Sequence, residues 1–385
     1  MAQLKLSCAA THQHSAPVTV PLLPSVSSLP LWPFRFMEAH QLAVSCGLLP
    51  ADPGKAVRAR TVDTGGAGPA KRMVEVEGCT AVAVVAGDSI SSIDPKEFLK
   101  RADASMAGSP DFPSDRDGAD LMTLRHPFIP NSYSHVSQAQ IRLHGLTRDQ
   151  LAMVSVLMSL QASRHPLALQ KKIHRLDEVV QSQEIAPAVS LYECARKADG
   201  AGAIIVMSEK AAREYSGPRI RITGAGEASG LTVYPKDEEE TLQAASSAKE
   251  AFRLAYHSAG LSPSEIHYFG LYDCFPICFI RAVEASGLSP PGRGGQWVED
   301  RYRAFIASGG DKPLPPEDLP VNTHGGLLGF AAPWEAPAIF SIIEACSQLS
   351  GAAVEGGRQL QKCQRAAVYG NGGVFTHSAV AVLEF

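Results

Sequence analysis

Six strand-like runs, each bounded by glycine or polar residues, recur along the chain. They are AVAVVAG (81–87), AGAIIVM (201–207), RIRITG (219–224), IHYFGL (266–271), RAAVYG (365–370) and SAVAVLEF (378–385). Between them the apolar spacing changes to that of helices. DQLAMVSVLMSLQASRHP opens on Thr147 and Gln150, spaced as a capping box. EEETLQAASSAKEAFRLAYHSAG closes on Gly260, a natural C-terminal cap. PWEAPAIFSIIEACSQLSG has Pro333 at its entrance and ends on Gly351. Strands alternating with helices predict an α/β fold with largely parallel sheets. Residues 103–146, rich in Pro, Asp and Ser, read as an irregular inserted loop region.

A repeat adds to this pattern. EAHQLAVSCGLLP (38–50) and EAFRLAYHSAGLSP (250–263) share Glu-Ala, Leu-Ala and Gly-Leu-x-Pro with one residue of slippage, which suggests two related halves.

Composition narrows the function classes. The 385 residues are 45% hydrophobic and 19% charged, ordinary for a globular protein that buries a sizeable core. A net charge of −4 offers no electrostatic case for nucleic acid or a lipid surface, and no apolar run approaches membrane-spanning length. Eight scattered cysteines include no Cys-x-x-Cys and no zinc spacing, so buried free thiols are expected and a metal site is not. Residues 1–36 hold five prolines and no acidic residue, the composition of a disordered leader or a targeting segment. Within them KLSCAATHQ (5–13) nearly matches an N-terminal peroxisomal signal, from which Gln13 departs. Cytoplasmic placement is the expectation, with a peroxisomal or mitochondrial matrix alternative through the leader.

Four polar or Gly-rich stretches sit where expected strands end: VDTGGAGPA (62–70), LYDCFP (271–276), VNTHGGLLGFAAPWEAP (321–337) and YGNGGVFTHS (369–378). Strand ends with close-packed glycines are where ligands approach backbone amides in α/β sheets. ITGAGEASG (222–230) evokes a dinucleotide loop, but its third glycine is displaced and no helix start follows, so that reading is rejected.

The order of strand, DCF and helix, then N-x-H-G-G-L-x-G, then G-N-G-G before a last strand, resembles the C-terminal half of a thiolase. The resemblance is greatest to the sterol-carrier-protein-associated thiolases and their thiolase-like relatives, and it spans roughly residues 62–385. It implies two duplicated βαβαβ halves in a layered α/β arrangement with an inserted loop region. On that plan residues 37–217 form an abbreviated N-terminal half, including a loop region at about 103–190, and residues 218–385 form the C-terminal half. It also implies an acyl-CoA thioester as substrate or ligand, acyl transfer or thiolysis as the reaction, no required cofactor, and a homodimer or a complex with another thiolase-pathway protein.

The residues at the family's reactive positions differ from its pattern. The nucleophilic cysteine at a helix N-terminus, where amides favour thiolate, corresponds here to Asp63 beside Thr64. The activating histidine falls on Ala332, the second thiol position falls in YGNGG, and the histidine before Asp-Cys-Phe is Tyr272. Cys274 and Cys278 are then expected to be packing residues. The candidate ligand-binding residues are Asp63, Gly65, Gly66, Asp273, Asn322, Gly325, Gly326, Asn371, Gly372 and Gly373. Two alternatives stand: a noncatalytic acyl-CoA-binding or scaffold subunit, and an acyltransferase using a new residue set. For the second the candidates are Thr64 as nucleophile, His324 as base, and Tyr272.

Overall fold

The computed structural model describes residues 2–6, 67–106, 127–230, 237–334 and 336–385. In chain order they build β1 (Ala2–Leu6), α1 (Ala67–Glu75), β2 (Ala81–Ser89), α2 (Pro95–Met106), α3 (Phe128–His144), α4 (Arg148–Arg164), β3 (Asp199–Ser208) and β4 (Ile220–Ser229). There follow α5 (Glu238–Ala244), α6 (Ser247–Ala259), β5 (Tyr268–Gly270), α7 (Pro276–Ala285), α8 (Gly294–Ala307), α9 (Gly326–Gly329), α10 (Pro337–Ser350), β6 (Arg365–Gly372) and β7 (His377–Glu384). The seven labelled strands form one sheet in the order β2-β3-β1-β4-β7-β6-β5.

Each of the six expected strands is present. Their direction is not the expected one, for only β5 and β6 run parallel and every other neighbour is antiparallel. Continuous apolar runs report burial on both faces and not strand direction. Both faces are covered over the middle of the sheet, whereas β2 at its edge has no fully buried residue. α1 and α10 bury Ala67, Ala70, Val74, Ile339 and Ile342 against Ile204, Ile222, Tyr268 and Leu383 on one side. On the other, α3, α4, α6 and α7 pack over Phe269, Tyr369, Val380 and Val382. Each large apolar side chain removed from water in this way contributes roughly 1.5–3 kcal/mol.

A register shift between Ile222 and Gly224 decides how α6 lies on the sheet. The extra residue flips the alternation, so Ile220 and Ile222 join the α1–α10 core while Gly224 and Gly226 turn to α6. A Cβ at Gly224 would lie 2.8 Å from the Ala259 Cβ, and one at Gly226 would lie 2.6 Å from the Ala255 amide nitrogen. The glycines that evoke a dinucleotide loop therefore admit a helix at close range.

Three further expectations need correction. The region 103–146 contains the end of α2 and the 17-residue α3, capped by Gly145 at φ 68°. Its Pro, Asp and Ser content suggests loop, but Ser132 and Ser137 donate to carbonyls four residues back, and Ser134, Ser137 and Gln140 are buried. The single helix expected over 238–259 breaks at Ala245 and Ser246 into α5 and α6. Residues 2–6 of the supposed leader form β1, between β3 and β4, because their backbone completes both ladders. The first copy of the repeat (38–50) lies outside the described residues, as does the rest of the leader. α4 starts where the capping box places it, with Thr147 accepting from the Gln150 amide at 3.1 Å.

Candidate functional site

β5 and β6 are parallel, so their C-terminal ends bring segments 271–276 and 371–376 to the same edge of the sheet. Asn322 joins the third stretch to them. Its backbone amide donates to the Phe269 carbonyl at 3.0 Å. Its side chain accepts from the Leu271 amide and donates to the Leu271 carbonyl, both at 2.7 Å, imitating a strand partner. That role holds Asn322 at φ 44°, fully buried.

Asp273 lies just past β5 and is fully buried. Asn322 ties the loop to the strand, and Asp273 ties it to the segment beyond. The Asp273 Oδ1 accepts from the Leu327 amide at 2.7 Å, so it caps the short α9 across space and not the helix that follows it in sequence. Its Oδ2 has no hydrogen-bond partner. Burial pushes its carboxyl up to about 7, against the pull of the backbone amides it faces. Gly326, at φ 62°, passes directly over that carboxyl, where a Cβ would collide with Oδ2. Gly325, at φ 110°, lies against α4, and a Cβ there would come 2.8 Å from the Ala162 Cα.

His324 is 3% exposed, its ring 5.4 Å from Phe330, with Nδ1 unpartnered. Burial, and then the charge of Arg358, hold it down to about 3, so it is neutral at physiological pH. His165 lies 4.9 Å from the same Phe330 ring and is also lowered to about 3, by burial and Arg358. Beneath them lies a buried ionic cluster that motif reading missed. Glu344 of α10 pairs with Arg358 and accepts from Thr323 Oγ1 at 2.6 Å, while Gln348 donates to Thr323 Oγ1 at 3.0 Å. The signal was an acid and a glutamine four apart inside the apolar IFSIIEACSQL.

Asn371, at the end of β6, is buried and donates to the Tyr133 hydroxyl at 3.1 Å; Tyr133 in turn donates to the Gly373 carbonyl at 2.9 Å. The Tyr133 ring stacks on Phe275 at 4.7 Å, which joins the two strand-end segments. No motif contains Tyr133, so nothing in the sequence pointed to it. Tyr272 and Gly372 are partly exposed and Gly373 is exposed. Ala332 is partly exposed, its amide donating to the Arg196 carbonyl at 2.9 Å. Asp63, Thr64, Gly65 and Gly66 lie outside the described residues. Thus the structure brings Tyr272, Asp273, Asn322, Gly325, Gly326, Asn371, Gly372 and Gly373 to one end of the sheet. It buries His324 beside them. Among the described residues no group of three His, Cys, Asp or Glu could hold a metal ion.

Residues 230–385 match the family described as thiolase C-terminal domain-like. The chain is 31% identical over 254 residues to an acetyl-CoA acetyltransferase of Methanothermobacter thermautotrophicus, covering 66% of this chain and 63% of that protein. It is 28% identical over 232 residues to sterol carrier protein 2 of Oryctolagus cuniculus, covering 59% of this chain and 40% of that one. The chain therefore spans less than two thirds of either relative. Among solved structures, the fold is similar to that of a chain of the Ltp2-ChsH2(DUF35) aldolase, with TM-score 0.62 and 21% identity over 83% of this chain and 76% of that one. It is also similar to a monomeric SCP2-thiolase like protein type 1 from Mycobacterium smegmatis, with TM-score 0.59 and 18% identity over 90% of this chain and 65% of that one.

Proposed function

This chain is a thiolase-like protein with a layered α/β thiolase-like fold, and from that premise we propose that it binds an acyl-CoA thioester without thiolysis by the cysteine–histidine route. The observation that carries this reading is how the polar groups at the strand ends are used. Asp273, Asn322 and Asn371 are buried and spend hydrogen bonds on holding the three loops together, and His324 is neutral behind Phe330. The glycine scaffold is retained while its side chains serve structure. Asp63, Tyr272, Ala332 and the thiol-free YGNGG stretch at the family's reactive positions support the same reading. Tyr272 and the Gly372–Gly373 turn remain accessible to a ligand.

The test pairs binding with turnover. Thermal melts with and without acetyl-CoA should show a ligand-dependent rise, since a ligand at a hundredfold excess over its Kd stabilises the folded state by roughly 2.7 kcal/mol. Acetoacetyl-CoA should not be cleaved when free CoA is supplied. Cleavage that disappears in Thr64→Ala or Tyr272→Phe would replace this reading with an acyltransferase on a new residue set. A cooperative melt indifferent to acetyl-CoA would remove the acyl-CoA reading altogether.

A second reading, a subunit that works with a partner, is favoured by the fold's likeness to a chain of the two-component Ltp2-ChsH2(DUF35) aldolase. Sedimentation of the purified chain alone and after co-expression with a DUF35-type protein tests it. Homodimerisation, the other expected assembly, would appear as a dimer of the chain alone.

A further inference from the structure

The thiols of Cys274 and Cys278 lie 3.5 Å apart at the entrance of α7. Cys274 precedes Phe275, the residue at the helix N-cap, and Cys278 is in the first turn, its amide donating to the Phe275 carbonyl at 3.0 Å. A sulfur separation of 3.5 Å needs to close by only about 1.5 Å to reach a disulfide bond. The two differ in access: Cys274 is partly exposed and Cys278 is fully buried. Among the other described cysteines, Cys346 is buried within the opposite core.

We propose that Cys274 and Cys278 are a peroxide-modifiable thiol pair that closes a disulfide at the helix entrance. The Cys274 thiolate attacks the terminal oxygen of a hydroperoxide, breaking the O–O bond and giving a sulfenic acid and an alcohol or water. The Cys278 thiolate then attacks the Cys274 sulfur, and the hydroxide that leaves takes up a proton as water. Two thiols are oxidised and one hydroperoxide is reduced. The exposed thiol is the point of entry and the buried one resolves. Burial raises the Cys278 thiol well above its ordinary value, so the second step is the slow one. Both thiols lie beside Tyr133, the group that bridges Asn371 and Gly373, so closure changes the surroundings of the turn at the end of β6. It does not depend on whether the chain binds an acyl-CoA.

The experiment treats the full chain with hydrogen peroxide, blocks remaining thiols, and reads the tryptic peptide from Leu254 to Arg281 by mass spectrometry. The expected product is that peptide lighter by two hydrogen atoms, unalkylated, and restored by dithiothreitol. In Cys278→Ser the disulfide should vanish and dimedone should trap a sulfenic acid on Cys274; in Cys274→Ser neither product should form. Cooperative melts of both variants establish that they fold, and each serine is close in size to the thiol it replaces. Direct passage of Cys274 to sulfinic acid in the wild type, or two thiols that stay alkylatable while Cys79 reacts, would overturn the proposal.

Discussion

Replacing Asp273 by asparagine should change how stability depends on pH, because the buried carboxyl titrates far from its ordinary value. In the folded chain it holds its proton up to about pH 7, against 3.8 for an ordinary aspartate. Between those values the folded state binds one more proton than the unfolded state. Its contribution is therefore intact below about pH 3.8, falls as pH rises, and is lost once pH passes about 7. At about 1.4 kcal/mol per pH unit, the interval of about three units amounts to about 4 kcal/mol, of which a comparison of pH 5 with pH 8 captures about 3. The amide in Asp273→Asn keeps an oxygen for the Leu327 N–H and never ionises. Its NH2 would take the place of the unpartnered Oδ2, at a constant cost of about 1–3 kcal/mol. Urea unfolding of wild type and Asp273→Asn at both pH values gives the difference in unfolding free energy. That difference should move in favour of the variant by about 3 kcal/mol from pH 5 to pH 8. The histidines titrate equally in both proteins and cancel. Parallel profiles, constant to within about 0.5 kcal/mol, would show that Asp273 is ionised in the folded chain and refute the burial argument.

For two buried histidines the sign is opposite. His165 and His324 are depressed to about 3 from 6.5, so their contribution is present above pH 6.5 and is lost towards pH 3, by up to about 1.4 kcal/mol per unit for each ring; His324→Gln should flatten that acid limb in a pH series of melts. Arg358→Met leaves Glu344 buried and uncompensated and should cost about 3–5 kcal/mol, whereas Glu344→Leu combined with Arg358→Met should recover most of the loss in urea midpoints. Gly226→Ala drives a methyl group into the backbone of α6 and should cost at least about 1–3 kcal/mol, with slower refolding of the α6–β4 contact measured by stopped flow.

Much of the layout was legible in the sequence because it rests on local chemistry. Apolar runs of six to eight residues mark the strands, and the Thr147–Gln150 pair starts α4 because the cap is a short-range hydrogen-bonding device. Gly260 and Gly351 end their helices in the left-handed conformation that glycine favours. The order of the three C-terminal stretches sufficed to point to the thiolase-like family, whose matched region begins at residue 230. α3 was hidden because Ser132 and Ser137 satisfy their hydrogen bonds within the helix and Ser134 finds the Pro187 carbonyl, which no propensity reports.

What only the tertiary structure decided depends on pairs far apart in the chain. Strand direction followed from which ladders close, so a sheet expected to be parallel is mostly antiparallel. The one-residue shift at Thr223 turned two glycines towards a helix and gave a ligand-like motif a packing reason. Asp273 and Leu327, Tyr133 and Gly373, and Glu344 and Arg358 meet across 54, 240 and 14 residues. Sequence alone supplied the residue types at the site. Burial and partners, which set a carboxyl near 7 and two histidines near 3, came from the fold, because both are properties of what surrounds a side chain and not of the residue itself.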